Sequence, residues 1–168
     1  MKKALSILLI LMCIGYFYSC EKDDICVEGD TPLLIVGFYD ASSADTTTVK
    51  SVTNLLIAET SLNSAFNAIA STDSIAFPIK IDTQTTEFAF IRNASIDDES
   101  QELTGTIDTL SFNYTVNREY ISRACGFIAN FNGLDTTRQV FSSDWIKRIS
   151  IINTDVERSN AIHVKVFH

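Results

Sequence analysis

"IDTLSFNYTV", Ile107 to Val116, decides how the rest of the chain is read. Leu110, Phe112, Tyr114 and Val116 alternate with Ser111, Asn113 and Thr115. Successive side chains point to opposite faces in a strand, so an apolar residue at every second position predicts a half-buried β-strand. Upstream, "LLIVGFYD" (33–40) is a nearly continuous apolar run and "VTNLLIA" (52–58) is a second; both predict buried strands. In "IAFPIKI" (75–81), Ile75, Phe77, Ile79 and Ile81 share one face. Pro78 lacks an N–H, which places that strand at an edge or a bulge. "TEFAFIRN" (86–93) follows a Thr-rich turn. Downstream, Asn117-Arg118 predicts a turn into "EYISRACGFIANF" (119–131), read as one long strand bent near Gly126. "WIKRISIIN" (145–153) and "AIHVKVFH" (161–168) close the chain across the polar "TDVERS". In the last strand Ile162, Val164 and Val166 point one way, His163 and Lys165 the other.

"SLNSAFNAIASTDS" (61–74) fits a short helix or a strand and loop. Alanine and leucine favour helix while Asn and Ser blur the pattern, so a loop with helical turns is expected. Seven or eight short strands with turns between them predict an all-β fold: a single antiparallel β-sandwich, immunoglobulin-like or prealbumin-like.

The N-terminus reads differently. Lys2 and Lys3 precede "ALSILLILMCIGYFYS" (4–19), which carries no charge. A bilayer span needs about 20 apolar residues, and this run has the length and flanks of a secretory h-region. After Cys20 the chain turns acidic at once, with Glu21, Lys22, Asp23 and Asp24. The segment resembles a bacterial lipoprotein signal, in which the cysteine becomes the lipidated first residue. It departs from that pattern where Phe17, Tyr18 and Ser19 stand for the usual Leu and small residues. A plain secretory signal cut near Ser19 and an uncleaved anchor are the alternatives. The residues after Cys20, with Lys22, Asp23 and Asp24, resemble the lysine-plus-acid signal of Bacteroidota surface lipoproteins, which implies export to the outer face of the outer membrane. The periplasmic face is the alternative. The expected organisation is a signal peptide over 1–19, a lipidated N-terminus and acidic tether over 20–31, and the β-sandwich over 32–168. A domain of that size buries roughly 70% of its unfolded surface, enough for a sizeable core.

Losing Lys2 and Lys3 from 13 basic residues leaves 11 against 21 acids, a mature charge of −10. That surface argues against nucleic acid and against anionic lipid headgroups as partners. Of four cysteines, Cys13 goes with the signal and Cys20 would carry lipid. Cys26 and Cys125 remain, in an oxidising compartment, and a disulfide between them is expected. Two cysteines with no nearby histidine make a poor zinc site, and a reactive thiol needs a base.

The chain shows no glycine-rich phosphate loop, His-Glu-x-x-His, nucleophile elbow or Cys-x-x-Cys. No catalytic residue, metal ligand or cofactor is therefore expected. His163 and His168 read as exposed surface histidines. Asp97-Asp98-Glu99-Ser100-Gln101-Glu102 gathers carboxylates but lacks the Asp spacing and central Gly of a calcium loop, so it reads as a solvated hairpin tip. Trp145, the single tryptophan, reads as a core or edge anchor. Asp45-Thr46-Thr47, Asp73-Ser74-Ile75, Asp108-Thr109-Leu110 and Asp135-Thr136-Thr137 look like the O-glycan acceptor triplet of secreted Bacteroidota proteins. Three of the four fall in or beside predicted turns, which makes Thr46, Ser74, Thr109 and Thr136 candidate glycan sites. Asp-Thr and Asp-Ser are also common turn pairs on local hydrogen bonding alone.

"CEKDDICVEGDTPLLIVGFYD", "FNYTVNREYISRACGFIANF" and "IKRISIINTDVERSNAIHVKVFH" together resemble an uncharacterised lipoprotein family of Bacteroidota, over essentially the whole mature chain. The resemblance implies a location and a small β domain, and it carries over no activity. The expected function is a non-enzymatic outer-membrane or cell-surface lipoprotein, an accessory or binding subunit of an envelope complex. Its partners would be the lipid anchor and a further envelope protein. The alternative is a carbohydrate- or nutrient-binding or hydrolytic lipoprotein beside an outer-membrane transporter. That reading requires either convergent carboxylates on one face or an aromatic platform, with Tyr39, Tyr114, Tyr120 and Trp145 converging on one exposed face.

Overall fold

The computed structural model of the chain describes Cys26 and residues 30–61, 64–139 and 144–168. Ten strands form two sheets, with no helix among the described residues. In the first sheet β1 (Leu34–Tyr39) lies between β5 (Ser74–Phe77) and β10 (Val164–Phe167), and β9 (Arg148–Ile151) pairs with β10. In the second, β2 (Val52–Glu59), β6 (Thr85–Ile96), β7 (Leu103–Ser122) and β8 (Gly126–Gln139) pair in that order. The short β3 (Ser64–Ala65) and β4 (Ala70–Thr72) both add to β2. The expected sandwich is present. It departs from pure antiparallel pairing at one place, where β1 and β10 run parallel in the register Val36↔Val164. Parallel neighbours need a long crossover, and here the whole intervening chain supplies it.

The alternation that opens the sequence reading is the core-facing row of β7. Leu110 and Phe112 are fully buried and Tyr114 nearly so. They meet Phe88 and Phe90 of β6, Phe131 of β8 and, from the other sheet, Leu34, Val36, Phe38, Phe77, Val164 and Val166. Phe77 joins the layers: its ring centroid lies 4.6 Å from that of Phe88, 6.1 Å from Phe90 and 6.2 Å from Phe112. Edge-on aromatic contacts of this kind add to simple area burial. As Pro78 implied, β5 stops at Phe77 and lies at a sheet edge.

Three expectations are corrected. Residues 61–74 carry no helical turn among those described; they hold β3 and β4. Ile69 from this stretch packs on a second cluster of Leu56, Ile91 and Ala94. Asn67 holds the stretch to β2 by accepting from the Ile57 N–H and donating to the Leu55 carbonyl. Asn117-Arg118 is not a turn, because β7 runs straight through it. Nor is 119–131 a single bent strand: Arg123, Ala124 and Cys125 form a turn, and Ser122 pairs with Gly126 across it. The polar character of 117–119 marks an exposed ribbon rather than a reversal. β6 pairs with β7 from Asn113 to Leu103, whereas β8 pairs with it from Thr109 to Ser122. Each end of β7 therefore extends on a single partner.

Candidate functional site

β7 carries its inner-face alternation past the body of the sandwich. Val116 is half-buried against the core, but Arg118 and Tyr120, next in the same row, are exposed. Across the ladder Arg118 faces Ala129 and Tyr120 faces Phe127. The Tyr120 and Phe127 rings meet edge to face at 5.2 Å, with relative exposures of 54% and 70%. Phe127 is thus the most exposed large apolar residue among those described. Burying such a pair would be worth several times an ordinary surface contact, so its exposure calls for an explanation.

Beside this pair is a groove of about 370 Å³ lined by Thr31, Ile81, Arg118, Phe127, Ile128 and Ala129. It continues through Ile81 and Arg118 into a second recess edged by Asp82, Thr83, Gln84 and Val116. The Arg118 guanidinium donates to the Ile81 carbonyl at 3.4 Å, which ties the 81–84 loop to the ribbon. Ile81 was expected to share the buried face of Ile75, Phe77 and Ile79; it lies 48% exposed at the mouth of the groove.

A covalent link holds this end. Cys26 and Cys125 form a disulfide with Cα atoms 4.9 Å apart, within the range such a bridge needs. The Thr31 hydroxyl oxygen accepts from the Ala129 N–H, so the chain entering the domain is fastened at two points of the same ribbon. Gly126 follows the bridge for its backbone conformation and not for want of space. A Cβ there would meet nothing within 4 Å, and the residue is needed for its φ of +69°.

Two polar sites lie elsewhere. His163, expected on an exposed face, is buried. Its Nδ1 accepts from the Ile35 N–H at 3.1 Å, while the His163 main-chain N–H donates to the Ile35 carbonyl at 3.0 Å. It thereby completes the β1 ladder one residue before β10 begins. Burial pushes its pKa down, partly offset by a hydrogen bond to the Arg158 backbone. His168 is half-buried, with its ring against those of Phe38 and Trp145, and burial lowers its pKa too. A polar recess of about 340 Å³ opens beside His163 between Asn153, Asp155, Glu157, Arg158, Asn160 and Ala161. The His163 Nδ1 already serves the Ile35 N–H and is not free for a ligand there.

The second polar site centres on Asp108, fully buried in β7. Its Oδ2 accepts from the Trp145 and Ile146 N–H groups at 2.9 and 2.7 Å. Burial raises its pKa, and the neighbouring Asp144 carboxylate repels its charge. Trp145 is buried as the anchor expected, and its indole N–H donates to the Phe90 carbonyl. Asp108 thus pins the segment that returns to β9, a structural duty. Glu59 does similar work: burial pushes its carboxyl up, but hydrogen bonds from Ser61 and Lys80 pull it below the usual range.

The remaining expected residues are scattered. Cys20, Lys22, Asp23 and Asp24 lie outside the described residues. Thr46 and Ser74 are exposed beside bends, where a bulky group fits. Thr109 is not in a turn: it is half-buried in mid-β7 between Ala89 and Gln139. Thr136 sits within β8, also half-buried, so only two of the four triplets occupy turns. Asp97 accepts from the Glu99 and Ser100 N–H groups, making 97–102 the hairpin tip expected. No group of three metal-ligating side chains occurs among the described residues. Tyr39, Tyr114 and Trp145 are buried, so they do not converge with Tyr120 on an exposed face. The aromatic pair that is exposed, Tyr120–Phe127, had only a weak signal in the sequence: the two residues flank the Arg123–Cys125 turn, but at unequal distances because the register shifts between Tyr120 and Ser122. No match was found among curated proteins or solved structures. Residues 44–168 match the family of unknown function DUF6452, and the chain belongs to that family.

Proposed function

We propose that this chain is a non-enzymatic, lipid-anchored outer-membrane lipoprotein of the Bacteroidota, displayed at the cell surface as an accessory or binding subunit of an envelope complex. Cys20 carries the lipid, and Lys22, Asp23 and Asp24 direct export. The observation that carries this reading is the Cys26–Cys125 disulfide, whose first cysteine comes six positions after Cys20. Such bonds persist in oxidising compartments, which favours an exported domain. Its placement also suits an anchor. Load drawn through the tether enters a covalent link to the β7–β8 turn instead of peeling β1 from its sheet. The exposed Thr46 and Ser74 suit the O-glycan reading better than Thr109 and Thr136 do.

Substituting Cys20→Ala tests the anchor. The variant should leave the membrane pellet for the soluble fraction or accumulate as an unprocessed precursor. Normally matured variant protein that still needs detergent for extraction would overturn the proposal.

A further inference from the structure

The exposed aromatic ribbon lies where the chain would leave for its anchor, and that coincidence fixes an occupant for it. We propose that the β7–β8 ribbon seats the domain on the lipid bilayer, with Phe127 and Tyr120 entering the interfacial layer and Arg118 and Arg123 meeting headgroup phosphates. The inference rests on the lipid-anchor reading and adds an orientation to it.

Chain reach sets the geometry. Six residue steps separate Cys20 from Cys26, so a lipidated Cys20 lies no more than about 20 Å from Cys26 even when fully extended. Cys26 is bonded to Cys125, two residues from Phe127. The opposite tip of the molecule lies much further off. Ile107 is thirteen residues from Tyr120 along β7, about 40 Å at the rise of a strand. The end bearing the disulfide must therefore face the bilayer. Its chemistry suits that position. Rings that are apolar in body and polar at the edge favour the headgroup level, and arginine pairs with phosphate there. Arg118, Glu119 and Arg123 give the ribbon a charge of +1 on a mature chain of net −10, so this end departs from the acidic surface that argues against anionic headgroups, and Glu119 is engaged by the Asn130 side-chain amide. Asp82, at the edge of the adjoining recess, is the acid nearest Arg118 among the lining residues. A partner protein covering the same face is the competing occupant.

The test uses lipidated full-length protein purified with its anchor and reconstituted into vesicles of phosphatidylethanolamine and phosphatidylglycerol carrying brominated acyl chains. Phe127→Trp places a reporter at the ribbon and Ile107→Trp places one at the far end. Trp145 gives a common buried background, read from the unsubstituted protein. The emission added by Phe127→Trp should be quenched by the bromines, and that added by Ile107→Trp should not. A Phe127→Trp signal left unquenched in vesicle-bound protein would overturn seating and leave anchorage standing, as a covering partner protein requires. Equal quenching at both positions would overturn the orientation. Absence of lipid on Cys20 by intact mass would overturn anchorage, and this inference with it.

Discussion

The β6–β7 ribbon and the β7–β8 ribbon leave opposite ends of the same strand, each on one ladder and each with an exposed apolar cross-strand pair. At the first end the pair is Ile96 and Leu103; at the second it is Tyr120 and Phe127. A two-stranded ribbon is marginal by itself, so each must be held by something beyond its own hydrogen bonds. The two solutions differ. Beyond Ile96 the turn is closed by a carboxylate: Asp97 accepts from the Ser100 N–H at 2.8 Å and from the Glu99 N–H at 3.1 Å. Behind it, Gly105 lets β7 pass over Ile91 in the small outer cluster. Beyond Ser122 the turn is closed by a covalent bond to a distant part of the chain. Asp97, Asp98, Glu99 and Glu102 make one tip strongly acidic, while the other carries two arginines and one acid. Local hydrogen bonding suffices where a tip faces water. At the other tip a cross-link joins the turn to the segment at Cys26.

Removing the disulfide should have the largest effect. Replacing Cys26 and Cys125 by Ser frees a loop of 99 residues, which in the chain-entropy model costs about 5 kcal/mol. The loss is read from the denaturant midpoint. Amides 117–130 should exchange faster with solvent while 94–106 keep their protection. Equal loosening of both ribbons would break the comparison, because the bond would then be acting on the whole domain.

The two ribbon glycines should separate next. A Cβ on Gly105 would sit 2.6 Å from Ile91 Cγ2 and 3.0 Å from the Arg92 carbonyl oxygen, at a φ of +148°. Gly105→Ala should cost about 3 kcal/mol, combining overpacking with backbone strain. Gly126→Ala meets open space and only a left-handed φ, so about 1 kcal/mol is expected. Similar denaturation midpoints for the two variants would contradict the difference in packing behind the two turns.

Acid should give the smallest effect, confined to one tip. Hydrogen bonds from Ser100 and Glu99 hold the Asp97 carboxyl below its ordinary value of 3.8. A depressed carboxyl contributes stability above its unfolded pKa and loses it as pH falls through the lower folded value. Titration from pH 5 downward should shift the amide resonances of 98–101 below about pH 4 and leave those of 123–125 in place. A reductant should do the reverse. Parallel acid shifts at both tips would show that the carboxylate is not what closes the first turn.

Period-2 alternation made the strands legible because strand geometry is local: Leu110, Phe112 and Tyr114 face one side whatever they pack against. The disulfide was legible because reading Cys13 and Cys20 as signal and lipid-anchor residues left only two cysteines to pair. The carboxylate-rich tip and the strand-ending Pro78 were legible for the same local reason. What escaped depended on what lies across space. Arg118 and Tyr120 continue the buried row of β7, yet they are exposed, and Val116 is the last of that row packed against the core. Alternation cannot report that. His163 alternates as a surface residue and is buried because β1 presents a backbone N–H to its ring. Thr109 follows an aspartate as turn residues do, but that aspartate is spent on Trp145 and Ile146 from 37 and 38 positions away. By itself, then, the sequence determined the β class, the strand-forming runs and the two cysteines to be joined. The tertiary structure decided which parts of those runs are covered. Side-chain direction is set by each residue's own backbone, whereas burial is set by what the rest of the fold packs against it.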